Sequence, residues 1–300
     1  MPERVRILEV GPRDGLQNEP RSVPTAAKLR FIAALADAGL NEIEASSFVH
    51  PRAIPQLADA DALFPAGPKD DGVRYSALVP NARGLDRALA AGVRRIAVFT
   101  AASETFAQRN VRMGIAQSLA VCADLIARAK VAGLGVRGYV GMSFVCPYEG
   151  DVPKERVRPL VERLLELGAD EVGVSDTLGA ATPREIRETV GHLVARVPAA
   201  RLALHLHNTY GTALANVLAG LDLGLRSFDA AAAGLGGCPY APGAAGNLAT
   251  EDLVYMLERM GYATGVDLER LVAAGAAMAT QLGREPDSRS WRVRGSVRER

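Results

Sequence analysis

Glu171-Val172-Gly173-Val174-Ser175-Asp176, an amphipathic stretch from Pro183 to Arg196, and Leu202-Ala203-Leu204-His205-Leu206-His207 follow one another with little between them. Two short β-branched or apolar runs around a helical period make a strand–helix–strand unit, and such a unit joins parallel neighbours in a sheet. Working outward, the same alternation recurs along the chain. Strands are predicted near 5–10, 42–47, 74–79, 95–100, 136–144, 171–176, 202–208 and 227–233, and helices near 25–38, 56–64, 83–91, 114–132, 154–167, 183–196, 212–223 and 249–260. Gly39, Gly92, Gly133, Gly168, Gly224 and Gly261 stand where a left-handed C-cap closes a helix. Eight β/α rounds in about 260 residues specify an α/β chain folded as a (β/α)8 TIM barrel more economically than a doubly wound sheet.

A further apolar-periodic segment, about 268–282, follows the eighth unit as a C-terminal helical extension. Residues 1–283 are therefore expected to form one catalytic domain, and the basic tail 284–300, with the lone Trp291, to be loosely ordered and solvated or oligomer-facing. A homodimer is the expected assembly. The chain has 300 residues, 48% hydrophobic and 23% charged, enough to bury a sizeable core. Its 35 basic and 34 acidic residues leave a formal net charge of +1, which gives no long-range attraction for nucleic acid or an anionic membrane. Cys122, Cys146 and Cys238 form no CxxC pair, and no apolar signal core or membrane-length run is present, so a reducing, cytoplasmic setting is expected.

In a barrel of parallel strands the C-terminal strand ends converge on one face. His205 and His207, two of four histidines, share one face of their strand. Asp14, between Gly11 and Gly15 after the first strand, would complete a divalent site, although it could instead cap its turn or pair with Arg13. Asn247 offers an amide oxygen as a fourth ligand or, equally, a helix cap. Period-2 spacing sends Glu44 and Ser46 the same way from strand two, and an inward Glu44 needs Arg13 or a metal shell as partner. Asp176 ends its strand and either enters the site or caps its turn. The run Gly234-Leu235-Gly236-Gly237-Cys238-Pro239 lacks a P-loop lysine, and reads as a mobile loop carrying a thiol proton donor, against Cys238 as a small buried hydrophobe.

Val10-Gly11-Pro12-Arg13-Asp14-Gly15-Leu16-Gln17-Asn18-Glu19, Cys146-Pro147-Tyr148-Glu149-Gly150 and the run from Ala233 through Cys238 and Asn247 to Asp252 resemble the signatures of the 3-hydroxy-3-methylglutaryl-CoA lyase family. The resemblance implies Mg²⁺ or Mn²⁺ held by Asp14, His205, His207 and Asn247, with Arg13 facing the thioester carbonyl and Cys238 delivering a proton. It also implies catalytic roles for Glu44 and Asp176, an acyl-CoA substrate, and Gln17 and Ser46 beside Arg13 against that substrate. A condensing acyl-CoA synthase or aldolase of the same superfamily is the alternative, and a non-catalytic binding barrel the third reading. His207-Asn208-Thr209-Tyr210-Gly211 and Ser175-Asp176-Thr177 depart from the usual family wording and bear on which C3 substituent is accepted.

Overall fold

The computed structural model describes residues 2–67, 72–237 and 246–298. Eight parallel strands close into a barrel: β1 (Arg6–Glu9), β2 (Glu42–Ser47), β3 (Arg74–Leu78), β4 (Arg95–Ala101), β5 (Gly135–Gly141), β8 (Glu171–Asp176), β9 (Leu202–Leu206) and β10 (Ser227–Ala230). Between β5 and β8 a small antiparallel hairpin pairs β6 (Val145–Cys146) with β7 (Gly150–Asp151). Closure comes from β1 pairing with β10, Arg6 opposite Ser227 through Glu9 opposite Ala230. That pairing brings the first and last loops of the barrel side by side.

The outer layer is α1 (Thr25–Asp37), α2 (Ala60–Ala66), α3 (Ala82–Ala90), α4 (Glu104–Val111), α5 (Ile115–Val131), α6 (Lys154–Glu166), α7 (Pro183–Val194), α8 (Ala213–Asp222) and α9 (Thr250–Arg259), with α10 (Leu268–Leu282) and α11 (Arg289–Arg298) beyond. All six glycines expected at helix ends have positive φ. Their apolar faces, such as Val157, Leu160, Val161 and Leu164 of α6, are buried against the strands.

Local chemistry explains four departures from the sequence expectation. β5 stops at Gly141, short of 144, because Met142 turns left-handed at φ 50° and the chain enters the hairpin. α4 is an additional helix, capped at its start by Ser103 accepting from the Phe106 amide at 3.1 Å. The expected second helix is split into a short turn at Pro55–Leu57 and α2. The tail expected to be loose instead forms α11, whose start is fixed by Asp252: it accepts from the Ser288 hydroxyl at 3.1 Å and from the Arg289 and Ser290 amides at 3.0 and 2.7 Å.

Toward the strand N-termini the barrel interior is charged rather than apolar. Glu42 takes Arg6 and Arg74, Glu171 takes Arg6 at 2.6 Å, and Arg137 from β5 reaches Asp229 of β10 at 2.6 Å. These paired charges occupy the barrel below its C-terminal mouth.

Candidate active site

Val10 leads from β1 into a single π-helical turn, Gly11–Gly15, which presents Arg13 and Asp14 at the C-terminal mouth. Across the barrel β9 delivers His205, and His207 follows it; both are buried. Asp14 Oδ2 lies 3.8 Å from His205 Nε2 and 3.4 Å from His207 Nε2. One donor atom from each of the three falls within 4.8 Å of the others. These are spans that atoms bound at roughly 2.0–2.3 Å to one cation cover.

Asn247 joins the same group. Its Nδ2 donates to Asp14 Oδ2 at 2.9 Å and to the Leu235 carbonyl at 3.1 Å, while its Oδ1 is buried with no partner among the described residues. The helix-cap alternative for Asn247 falls away, because α9 begins at Thr250 behind Ala249 with no side-chain cap. Arg13 forms one unit with the half-buried Asp14, the buried Glu44 and the Tyr139 ring beneath them. Its Nη1 donates to Asp14 Oδ1 at 2.5 Å, its Nη2 to Glu44 Oε2 at 3.2 Å, and its Nε lies 3.1 Å from Glu44 Oε1. Tyr139 donates its hydroxyl to Glu44 Oε2 at 3.0 Å and sets its ring under both Arg13 and Arg137.

Burial works against the charge on Arg13, but Glu44 and Asp14 outweigh it and raise its pKa further above the ordinary value. Desolvation of the half-buried Asp14 works against its charge too, yet Arg13 and the two histidines hold its carboxyl well below the usual range. Burial keeps the Tyr139 phenol protonated. The result is a fixed cation beside an ionised carboxylate.

Three residues matter here that sequence reasoning did not single out. Asp229 Oδ2 lies 3.2 Å from His205 Nδ1 and so holds the imidazole with Nε2 facing Asp14. Arg137 holds Asp229, and Tyr139 holds Glu44. Their signal was present as charged or polar side chains inside strand patterns, Arg137 and Tyr139 in β5 and Asp229 in β10, where a buried charge requires a partner.

A cavity of about 410 Å³ opens above this group. Arg13, Asp14, His205, His207 and Gln17 line it, with apolar walls from Leu78, Phe99 and Phe106. Ser46 is not on the wall. A β-bulge between Glu44 and Ser46 breaks the period of two, so that Ser47 lines the cavity while the Ser46 hydroxyl is buried with no partner among the described residues. Asp176 turns into its own loop, accepting from the Gly179, Ala180 and Ala181 amides at 3.0, 3.1 and 3.0 Å, which is the turn-capping alternative. Cys122 is a buried thiol donating to the Phe99 carbonyl, pushed up to about 12 by burial, and Cys146 donates to Ser103. Cys238 lies outside the described residues.

Known proteins share this arrangement of chain. The profile of the family described as HMGL-like matches residues 4–278. A hydroxymethylglutaryl-CoA lyase of Bacillus subtilis is 47% identical over 292 residues, covering 97% of this chain and 98% of its own length. A crystal structure of the Bacillus subtilis HMG-CoA lyase superposes with a TM-score of 0.96 at 46% identity, covering 98% of this chain and 99% of that one. An Acinetobacter baumannii HMG-CoA lyase solved with coenzyme A and 3-methylmalate superposes at 0.91 with 40% identity, over 95% and 93% of the two chains. With near-complete coverage at such identity, and a barrel whose mouth gathers Arg13, Asp14, His205, His207 and Asn247, the chain belongs to the HMGL-like family, beside the enzymes named hydroxymethylglutaryl-CoA lyase.

Proposed function

We propose that the protein is a divalent-metal-dependent carbon–carbon lyase that cleaves 3-hydroxy-3-methylglutaryl-CoA, or a close 3-hydroxy-3-alkylglutaryl-CoA, to acetyl-CoA and a 3-oxo acid such as acetoacetate. The observation that carries this reading is the buried Arg13 guanidinium, fixed by Glu44 and set against the Asp14, His205 and His207 cluster on the cavity wall. Relatives of high identity named for that activity support it.

Asp14, His205, His207 and Asn247 would hold Mg²⁺ or Mn²⁺. A carboxylate, two imidazoles and an amide oxygen suit a cation of hard to borderline character, and the Asn247 Oδ1, without a partner among the described residues, is an acceptor awaiting such a charge. When bound, the ion supplies Lewis acidity that makes the substrate hydroxyl easier to deprotonate. Breaking the C2–C3 bond leaves C2 as the enolate of a thioester. Arg13 is placed to hold that developing oxyanion, and needs no reorganisation because Glu44 and Tyr139 already fix it. Cys238, one residue past Gly237 on the cavity wall, is the proposed donor of the proton that completes acetyl-CoA, an assignment resting on the sequence motif and on the ordinary thiol pKa of about 8.5. Glu44 acts through Arg13, and Asp176 through the loop it anchors. Residues 1–283 form the catalytic unit, and we take it to work as a cytoplasmic homodimer. No helix of the described residues is long and apolar enough to cross a membrane.

Purified protein loaded with Mn²⁺ and given a panel of 3-hydroxy-3-alkylglutaryl-CoA thioesters should release acetyl-CoA, fastest from the preferred C3 substituent. Binding of the panel without release would leave a barrel that binds and does not cleave. Cys238→Ser should slow release by about 10²–10⁴-fold with metal and substrate still bound; unimpaired release would remove the proton-donor role.

A further inference from the structure

The wall behind the reaction groups is made of two loops, Gly11–Gly15 after β1 and residues 231–237 after β10, and the relation between them fixes where Asp14 and Arg13 stand relative to Asn247. They are in close contact: a Cβ at Gly15 would fall 2.8 Å from Leu235 Cβ, and Asn18 donates to the Gly237 carbonyl at 2.9 Å. Beneath them lies Glu9, the last residue of β1, fully buried. Its Oε1 accepts from the Gly11 amide at 2.8 Å and from the Ala232 amide at 2.9 Å, and its Oε2 from the Thr250 hydroxyl at 2.7 Å. One carboxylate therefore ties the start of the Arg13–Asp14 turn, the start of the glycine-rich loop and the first residue of α9, three residues beyond Asn247. Glycine at 11 permits this, since a Cβ there would lie 2.5 Å from Glu9 Oε1.

We propose that Glu9 is a positioning residue for the reaction, holding Asp14 and Arg13 in register with the loop and Asn247 opposite through these three hydrogen bonds. An apolar residue would be the cheaper occupant of so buried a place. Burial pushes the Glu9 carboxyl up to about 7, a cost that the three donors offset only in part. Without an acceptor the Gly11 and Ala232 amides would be left unpaired, and each loop would be free to seek another arrangement. The inference rests on the lyase reading for its kinetic consequence and on the geometry alone for its structural one.

Glu9→Leu removes all three bonds. Glu9→Gln keeps them, its Oε1 taking both amides and its Nε2 donating to the Thr250 hydroxyl. In hydrogen exchange followed by mass spectrometry, peptides covering 10–16 and 230–237 should exchange faster in Glu9→Leu and not in Glu9→Gln, with strand peptides of the barrel unchanged. Misplacement of reaction groups by a fraction of an ångström should lower kcat by about 10–100-fold with KM moving less than about 3-fold, and weaken Mn²⁺ binding by about 10-fold. Glu9→Gln should return kcat and Mn²⁺ affinity to within about 3-fold of the parent. A folded Glu9→Leu with parental exchange and kcat would overturn the proposal, as would a Glu9→Gln as damaged as Glu9→Leu. Should Glu9→Leu not fold, Thr250→Val removes a single tie: faster exchange in 246–252 with a 3–10-fold lower kcat, on the order of one lost hydrogen bond, supports the role, and parental behaviour contradicts it. A parent that binds Mn²⁺ but releases no acetyl-CoA would count against the lyase reading, while the exchange pattern would still decide the part played by Glu9.

Discussion

At the scale of single residues the site is a set of donors whose directions are fixed from behind. Asp229 turns His205, Glu44 turns Arg13, and Arg137 and Tyr139 hold those two carboxylates in place. Asp229→Asn keeps the volume but loses the charge that anchors both His205 and Arg137. Mn²⁺ affinity, measured by calorimetry, should weaken by about 10–100-fold, the usual cost of losing a partner behind a metal-ligating histidine. Unchanged affinity would reduce Asp229 to a partner of Arg137. Arg13→Met should lower turnover by on the order of 10²–10³-fold, as for loss of an oxyanion donor, while Mn²⁺ still binds. Parental turnover would make Arg13 a structural partner of Asp14 and Glu44. That Arg13, Asp14 and the histidine pair come together was legible in the sequence, because their spacing and their place at strand ends carry that information. Asp229 was not, since its importance lies in a register, opposite His205 across the β9–β10 pair, that only the folded sheet shows.

At the scale of elements, the buried acids behind the last loop set a pH dependence. Glu251, in the first turn of α9, accepts from the Ala233 amide at 2.7 Å and has no partner for Oε2 among the described residues. Burial, with Glu9 and Asp252 nearby, pushes its carboxyl up to about 8 from an ordinary 4.5. A carboxyl raised on folding binds its proton more tightly in the native state, so its stabilising contribution is complete below about 4.5 and is lost as pH rises through about 8. Glu251→Gln removes that titration. The Tm difference between Glu251→Gln and the parent should therefore grow in favour of the variant from pH 5.5 to pH 8.5, by a few degrees if about 1–2 kcal/mol is involved. A difference independent of pH would show that Glu251 does not titrate on folding in that range. Elements also mark where sequence periodicity stops informing. The bulge in β2 exchanges Ser46 for Ser47 on the cavity wall, and one inserted residue is invisible to a period-of-two reading. α11 escaped notice for a related reason: its order comes from Asp252, far away in sequence, rather than from any apolar stripe of its own.

At the scale of the whole molecule, paired charges run through the barrel from the strand N-termini to the group at the C-terminal mouth, where Asp229 meets both Arg137 and His205. The strand and helix units were legible throughout because each repeats the same two periods and most end on a glycine. Closure of β1 onto β10 then does what no local pattern could, laying the loop of Asp14 against the loop that leads to Asn247 across more than two hundred residues. The central claim is that this convergence makes a metal-dependent lyase. The most direct test strips the protein with a chelator, restores graded Mn²⁺, and follows acetyl-CoA release from 3-hydroxy-3-methylglutaryl-CoA by the parent and by His207→Ala. Release should vanish on stripping and return with Mn²⁺ in the parent, and His207→Ala should require at least about 10-fold more metal for what activity it retains. Full turnover by the stripped protein, or a His207→Ala that responds to Mn²⁺ as the parent does, would contradict it.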